Sequence, residues 1–411
     1  MNQRGAAATL KSCVPANGRS TVTGPLEGIL VADFSRVLAG PLASMTLSDL
    51  GARVIKVERP GHGDDTRAWG PPFTEHGATY FASVNRGKES ITLDLGDPED
   101  LRLARELALR ADVLLENFTP GTMERFGLGF DQLRAANPGL VHCSITGFGT
   151  EAGARMLGYD FVVQAVGGLM SVTGQPGGEP TKVGVALVDV LTGKDVAAGV
   201  LAALFARERT GRGQRLEVSL LTSLLGALVN QGQATLATGT PPRAMGNQHP
   251  SIAPYETLQA ADRPLAVACG NDLQFGRLCG VLARPELADD PRFRTNPDRV
   301  AHRPELIADL EAALAARNAE DWVADLTAAG VPAGPVNDIA RAIELAAELG
   351  LAPTIELPGG HGRQLRHPVR WVGTELPAPS PPPALGEQDA TLRAWLQAPT
   401  DSPSTPTEEA R

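Results

Sequence analysis

The segment Gly184-Val185-Ala186-Leu187-Val188-Asp189-Val190-Leu191-Thr192-Gly193 sets one carboxylate inside an apolar run, immediately ahead of a stretch that reads as helix. An acidic side chain in that setting either caps the helix or does chemistry. Thr192 is the better-placed cap for a helix starting near Lys194, which leaves Asp189 free for another role. A carboxylate with a reference pKa of about 3.9 is ionised at neutral pH and can attack an activated acyl group without the base that serine or cysteine needs. The glycines around it (Gly167, Gly168, Gly174, Gly177, Gly178, Gly184 and Gly193) could bring backbone N–H groups to a developing oxyanion, although a glycine-rich stretch is first of all a loop.

Other catalytic patterns are absent. No GxGxxG follows the first apolar run, and neither GxSxG nor HExxH occurs. Gly87-Lys88 and Gly193-Lys194 are followed by Glu89 and Asp195 where a P-loop needs Ser or Thr, which disfavours nucleotide triphosphate hydrolysis. The 7 histidines are scattered. Only His249, in Gly246-Asn247-Gln248-His249-Pro250, lies in unusual local chemistry, and a lone loop histidine is more often a structural hydrogen-bonder than a base.

These residues need a frame. Gly28–Phe34 is nearly continuous apolar, as a strand buried on both faces of a parallel sheet would be, and a loop, a helix from Pro41 to Gly51 and a strand over Val54–Glu58 complete a βαβ unit. The pattern recurs as strand Ser90–Leu95, a helix opened by Asp97-Pro98, strand Val113–Asn117, a helix over Phe130–Ala136 and strand Leu140–Ile145. A long helix over Lys194–Arg209, a strand over Arg215–Leu220 and an apolar helix over Leu221–Gln231 follow. The spacing predicts an α/β fold: a large Rossmann-like, doubly wound domain whose strand ends hold the ligand, joined to a smaller α+β domain. Residues 25–222 form the first part of the large domain, 223–330 the small domain with its linkers, and 331–397, read as short strands, loops and a last helix near Ala390–Leu396, return to the large one. Residues 1–24 and 398–411 read as disordered extensions.

Composition narrows the partners. With 37 Lys+Arg against 47 Asp+Glu the net charge is -10, which disfavours nucleic acid. No window approaches the roughly 18 apolar residues of a membrane span, and no secretory leader is evident. Cys13, Cys143, Cys269 and Cys279 have no CxxC spacing, so neither a zinc site nor a disulfide framework is expected, and the chain is placed in the cytoplasm.

A series of segments in order then points further: PLEGILVADFSRVLAGP at 25–41, GARVIKVERPGHGDDTR at 51–67, NRGKESITLDL at 85–95, ADVLLENFTPGTMERFGL at 111–128, LVHCSITGFG at 140–149, GYDFVVQAVGGLMSVTG at 158–174, the Asp189 segment, RTGRGQRLEVSLL at 209–221, GNQHPSIAPY at 246–255 and GVPAGPV at 330–336. Together they resemble the class III coenzyme A transferases, the formyl-CoA and carnitine CoA-transferase family, over nearly all of residues 25–390. The resemblance implies that Asp189 is the nucleophile and that coenzyme A is contacted by Arg36, Val37, Arg59, Leu93, Asn117, Phe118 and Arg125. It implies an acyl-CoA and a carboxylic acid as substrates, no permanently bound cofactor and no metal, and two chains threaded through one another as an interlocked homodimer. Arginines at the carboxyl ends of strands suit phosphate binding.

The 2-methylacyl-CoA racemases of the same superfamily carry histidine at the middle of Gly158-Tyr159-Asp160. Tyr159, with a reference pKa near 10, is a poor partner for α-proton exchange at neutral pH, so transfer is favoured over racemisation. A non-catalytic acyl-CoA-binding relative is a further alternative. Leu385-Gly386-Glu387-Gln388-Asp389 departs from the family's LGEHT, and the lid segment reads GNQHPSIAPY; the acid pocket is expected around Tyr159, His249 and Tyr255.

Overall fold

A computed structural model describes residues 24–374 and 376–399. The expected disordered stretches therefore fall almost wholly outside the described residues, as does Cys13. Six strands form the central sheet: β1 (Leu30–Asp33), β2 (Arg53–Glu58), β3 (Lys88–Thr92), β4 (Val113–Glu116), β5 (Val141–Thr146) and β6 (Arg215–Ser219). Their order is β3-β2-β1-β4-β5-β6 and every pairing is parallel. The order reverses between β1 and β4, and in such sheets the crevice beyond the strand ends at that reversal receives ligands.

Alternation along the strands builds the two faces. Val31, Val54, Val113, Leu115 and Val141 pack with helices α1 (Ala39–Asp49) and α4 (Leu187–Thr210), whereas Ala32, Ile55, Ile91 and Leu114 pack with α2 (Pro98–Arg110) and α8 (Asp389–Gln397). Because both faces are covered, the central strands read as largely apolar runs, while the edge strands β3 and β6 are polar. A separate core over residues 253–331 gathers Leu258, Leu265, Phe275, Phe293, Leu310, Trp322 and Leu326 around the strands β7 (Tyr255–Gln259), β8 (Pro264–Ala268) and β9 (Ala333–Pro335). This sheet is antiparallel, unlike the central one.

Three expectations are corrected. The long helix begins at Leu187, not near Lys194, so Asp189 sits within its first turn and Thr192 is an interior residue whose hydroxyl donates to the Val188 carbonyl. Gly193 and the β-branched residues beside it weaken helix propensity, but the glycine is there because α4 packs on α1: a Cβ at Gly193 would lie 2.8 Å from the Ala39 carbonyl oxygen. The second difference is a helix, α7 (Ile339–Glu348), where short strands and loops are expected. Third, the expected helix over Leu221–Gln231 is two, α5 (Leu220–Ala227) and α6 (Val229–Thr238).

The carboxyl-terminal segment returns to the edge of the central sheet. Gln388 Oε1 accepts from Ser90 N at 2.7 Å, Asp389 Oδ1 accepts from Thr92 N at 2.6 Å, and Arg393 pairs with Asp100 at 2.6 Å. Side chains thus satisfy backbone donors of edge strand β3 that would otherwise be open to pairing.

Candidate active site

Asp189 is 9% exposed and opens onto a cavity of about 330 Å³ at the carboxyl end of the sheet. Arg36, Val37, Asn117, Phe118 and Tyr159 line the same cavity. A neighbouring cavity of about 230 Å³ is lined by Arg59, Leu93, Phe126 and Lys56, and it shares Arg36 and Phe118 with the first. The two shared side chains, with the Arg36 guanidinium 5.6 Å from the Phe118 ring centroid, form a partition between the two lobes. Of the expected contacts to coenzyme A, only Arg125 lines neither lobe; it lies beside Phe126, 5.6 Å from that ring's centroid. His249 and Tyr255 lie together, their rings 5.1 Å apart, at the entry to the small antiparallel sheet and outside the cavity that holds Asp189.

Among the described residues no hydrogen bond is made to the Asp189 carboxylate. Its surroundings disfavour charge: burial, and then the Asp160 carboxylate, push it up to about 7. The sequence alone suggests full ionisation at neutral pH; in the fold, burial and Asp160 bring the titration of this carboxyl up toward neutrality. Asp160 opens helix α3 (Asp160–Val166), and its Oδ1 accepts from Val188 N at 2.7 Å and Asp189 N at 3.3 Å, while Gln164 Nε2 donates to its Oδ2 at 2.7 Å. One carboxylate therefore satisfies free donors in the first turn of α4 and repels the other. The field of these carboxylates reaches Tyr80, which packs edge-on to Trp69 and lines neither lobe. Burial, then Asp189, Asp160 and Asp64, push its phenol up to about 12, so it stays neutral.

Sequence reasoning misses Tyr80 altogether, because nothing in Ala78-Thr79-Tyr80-Phe81 marks it. Asp160 is visible only as a neighbour of Tyr159. The glycines facing Asp189 also differ from those expected: Gly147, Gly149, Gly153 and Gly158 line the cavity. Gly147 and Gly158 touch backbone to backbone, since a Cβ on Gly158 would lie 2.5 Å from the Gly147 Cα.

Beneath the loop joining β1 to α1 lies a buried ionic cluster. Lys56 pairs with Asp64 at 2.9 Å, and Lys88 with Asp33 at 3.1 Å. Burial would raise Asp33, but Lys88 and Lys56 outweigh it and hold its carboxyl at about 2; burial lowers Lys88 to about 8. No cluster of His, Cys, Asp and Glu suited to a metal occurs among the described residues.

A buried carboxylate at the mouth of a divided crevice, with arginines in both lobes, is a setting for acyl transfer from a long carrier. The model of CoA-transferase family III matches residues 26–389, and the chain belongs to that family. It is similar to the acetyl-CoA:oxalate CoA-transferase of Acetobacter aceti (44% identical over 379 residues, 92% of this chain and 97% of that one). It is also similar to the succinate–glutarate CoA-transferase of Agrobacterium fabrum (42% over 388 residues, 91% and 96%). Among solved structures it resembles a CAIB/BAIF family protein from Brucella suis (TM-score 0.82, 45% identical, 91% of this chain and 100% of that one). Rv3272 from Mycobacterium tuberculosis gives a TM-score of 0.81 at 35% identity, over 90% and 99%. The chain is thus an enzyme that moves coenzyme A from an acyl-CoA to a carboxylic acid.

Proposed function

We propose that Asp189 is the covalent nucleophile. Its carboxylate attacks the donor thioester carbonyl, forming an aspartyl acyl anhydride and releasing coenzyme A thiolate. The thiolate attacks the aspartyl carbonyl, giving an aspartyl thioester and the donor acid. The acceptor carboxylate attacks that thioester, forming a second anhydride, and the thiolate takes the new acyl group and leaves Asp189 free. The observation that carries this reading is the opening of Asp189 onto a lobe divided by Arg36 and Phe118 from the lobe of Arg59 and Leu93. The first lobe suits the acyl end of the substrate, and Arg36, Arg59 and Arg125 suit the phosphates of its carrier. Binding energy from that carrier is then available at the distant acyl group.

Small dicarboxylic acids are the proposed acceptors, since oxalate, succinate and glutarate stand in the names of the two relatives. Tyr159 borders the acid. His249 and Tyr255 contribute only if a second copy of the chain brings them to the cavity. The proposal extends to a cytoplasmic homodimer, in keeping with the free, buried Cys143, Cys269 and Cys279 and with α6 and α7, neither of which buries a residue within the chain. We divide the chain into a large domain over 25–222 and 331–397 and a small one over 223–330; the separate core of residues 253–331 supports two domains, while Leu224 in the large core and β9 in the small sheet draw the boundaries toward 253 and 335.

Incubation with succinyl-CoA followed by hydroxylamine and peptide mass spectrometry tests the nucleophile. The peptide containing Asp189 should carry a hydroxamate, and Asp189→Ala should abolish both the label and transfer. Labelling of another residue, or solvent deuterium entering the α-carbon without any acceptor acid, would replace this reading with a different one.

A further inference from the structure

Val37 has φ 72°, a left-handed backbone that a β-branched residue rarely adopts. Such a conformation persists only where its surroundings impose it. Here three groups do so, buried Lys56 and Asp64 and half-buried Asn117. Lys56 Nζ donates to the Ser35 carbonyl at 2.9 Å, and Asn117 brackets Arg36, with Arg36 N donating to Oδ1 at 3.0 Å and Nδ2 donating to the Arg36 carbonyl at 2.8 Å. The third is Asp64, whose carboxylate takes the Val37 N–H at 3.3 and 3.2 Å. Asp64 is itself fixed by Lys56 at 2.9 Å, by Thr66 N at 3.0 Å and Thr66 Oγ1 at 2.7 Å, and through its own N–H by Glu58.

The loop so held lies where its placement matters. Arg36 faces both lobes, Val37 faces the lobe of Asp189, and α1 begins at once with Ala39, whose carbonyl abuts α4 at Gly193, one turn beyond Asp189. Asp64 lines the other lobe. We infer that Asp64 is a positioning residue: it holds the 35–38 loop in a strained shape that sets the distance between the carrier lobe and the nucleophile. The inference rests on the reading of the two lobes given above. Glu58, Lys56 and Thr66 serve Asp64, and Asp64 serves the loop without touching the reacting atoms.

The experiment separates that role from general stabilisation. Coenzyme A affinity is measured by titration calorimetry alongside acyl-CoA KM, kcat and unfolding temperature. Asp64→Asn, which removes the charge that binds Lys56 and the Val37 N–H, should weaken coenzyme A binding and raise acyl-CoA KM about tenfold, with a smaller change in kcat. In a Val37→Gly background, where a left-handed backbone costs nothing, the same substitution should change KM less than threefold. If Asp64→Asn does not fold, Asp64→Glu gives the same test: it keeps the charge but displaces the acceptor, so KM must still rise. An equal effect of Asp64→Asn with and without the Val37→Gly substitution overturns the inference, as does a fall in unfolding temperature with unchanged affinity in either Asp64 variant. Absence of coenzyme A binding by the unsubstituted enzyme would instead overturn the reading of the lobes.

Discussion

Two carboxylates meet at the start of α4, and their proximity makes testable demands. Since Asp189 is held near pKa 7 by burial and by Asp160, the free enzyme's kcat/KM should rise with pH and level off above about 7. Asp160→Asn removes a repelling charge, so the rising limb should move to lower pH; a limb left in place would show that burial alone sets it. Stability carries the opposite trend. Asp189 has a folded-state pKa raised above its unfolded value of 3.8, so the folded chain holds a proton between 3.8 and about 7 that the unfolded chain has lost. Its contribution is complete below that window and is lost as pH rises through it. Asp189→Asn should therefore gain stability over the unsubstituted protein on going from pH 5 to pH 8, by a few kcal/mol at most at roughly 1.4 kcal/mol per pKa unit. Urea unfolding at the two pH values measures it. Asp189 is legible in the sequence because a lone charge interrupts an apolar run. Its raised pKa is not, because its burial is a product of the fold and Asp160 comes from an element 29 residues away in sequence.

At the scale of elements, the alternation of apolar runs with amphipathic stretches predicts the order of strands and helices well, because a parallel sheet covered on both faces leaves a strong signal in its central strands β1, β2, β4 and β5. The start of α4 is hidden for a physical reason. Gly193 reads locally as a helix breaker, yet it is the contact that brings α4 against α1 and so places Asp189 at the cavity. Gly193→Val should push the helices apart, costing about 1–3 kcal/mol as overpacking does, and should lower kcat more than it raises KM. Thermal unfolding and steady-state kinetics check both parts. Helix α7 escapes notice by a different route, since Ile339, Leu345 and Leu349 are exposed in the single chain and no core of that chain explains their spacing.

For the whole molecule, the apolar side chains on α6 and α7 call for a cover. Val229 (71% exposed), Leu236 (83%) and Ile339 (77%) stand on two helices that bury no residue within the chain, and their burial against a second copy is the expected result. Sedimentation should give about twice 43.0 kDa, and Leu236→Asp together with Ile339→Asp should lower that mass or the solubility. A mass of one chain that stays soluble would count against the homodimer. The hydrogen bonds from β3 to Gln388 and Asp389 have a consequence for how the protein is made. The edge of the central sheet is closed by residues translated 298 and 297 positions later, so a nascent chain on the ribosome carries that strand unsealed until those residues emerge. Completion of the first half of the polypeptide therefore does not by itself close that sheet.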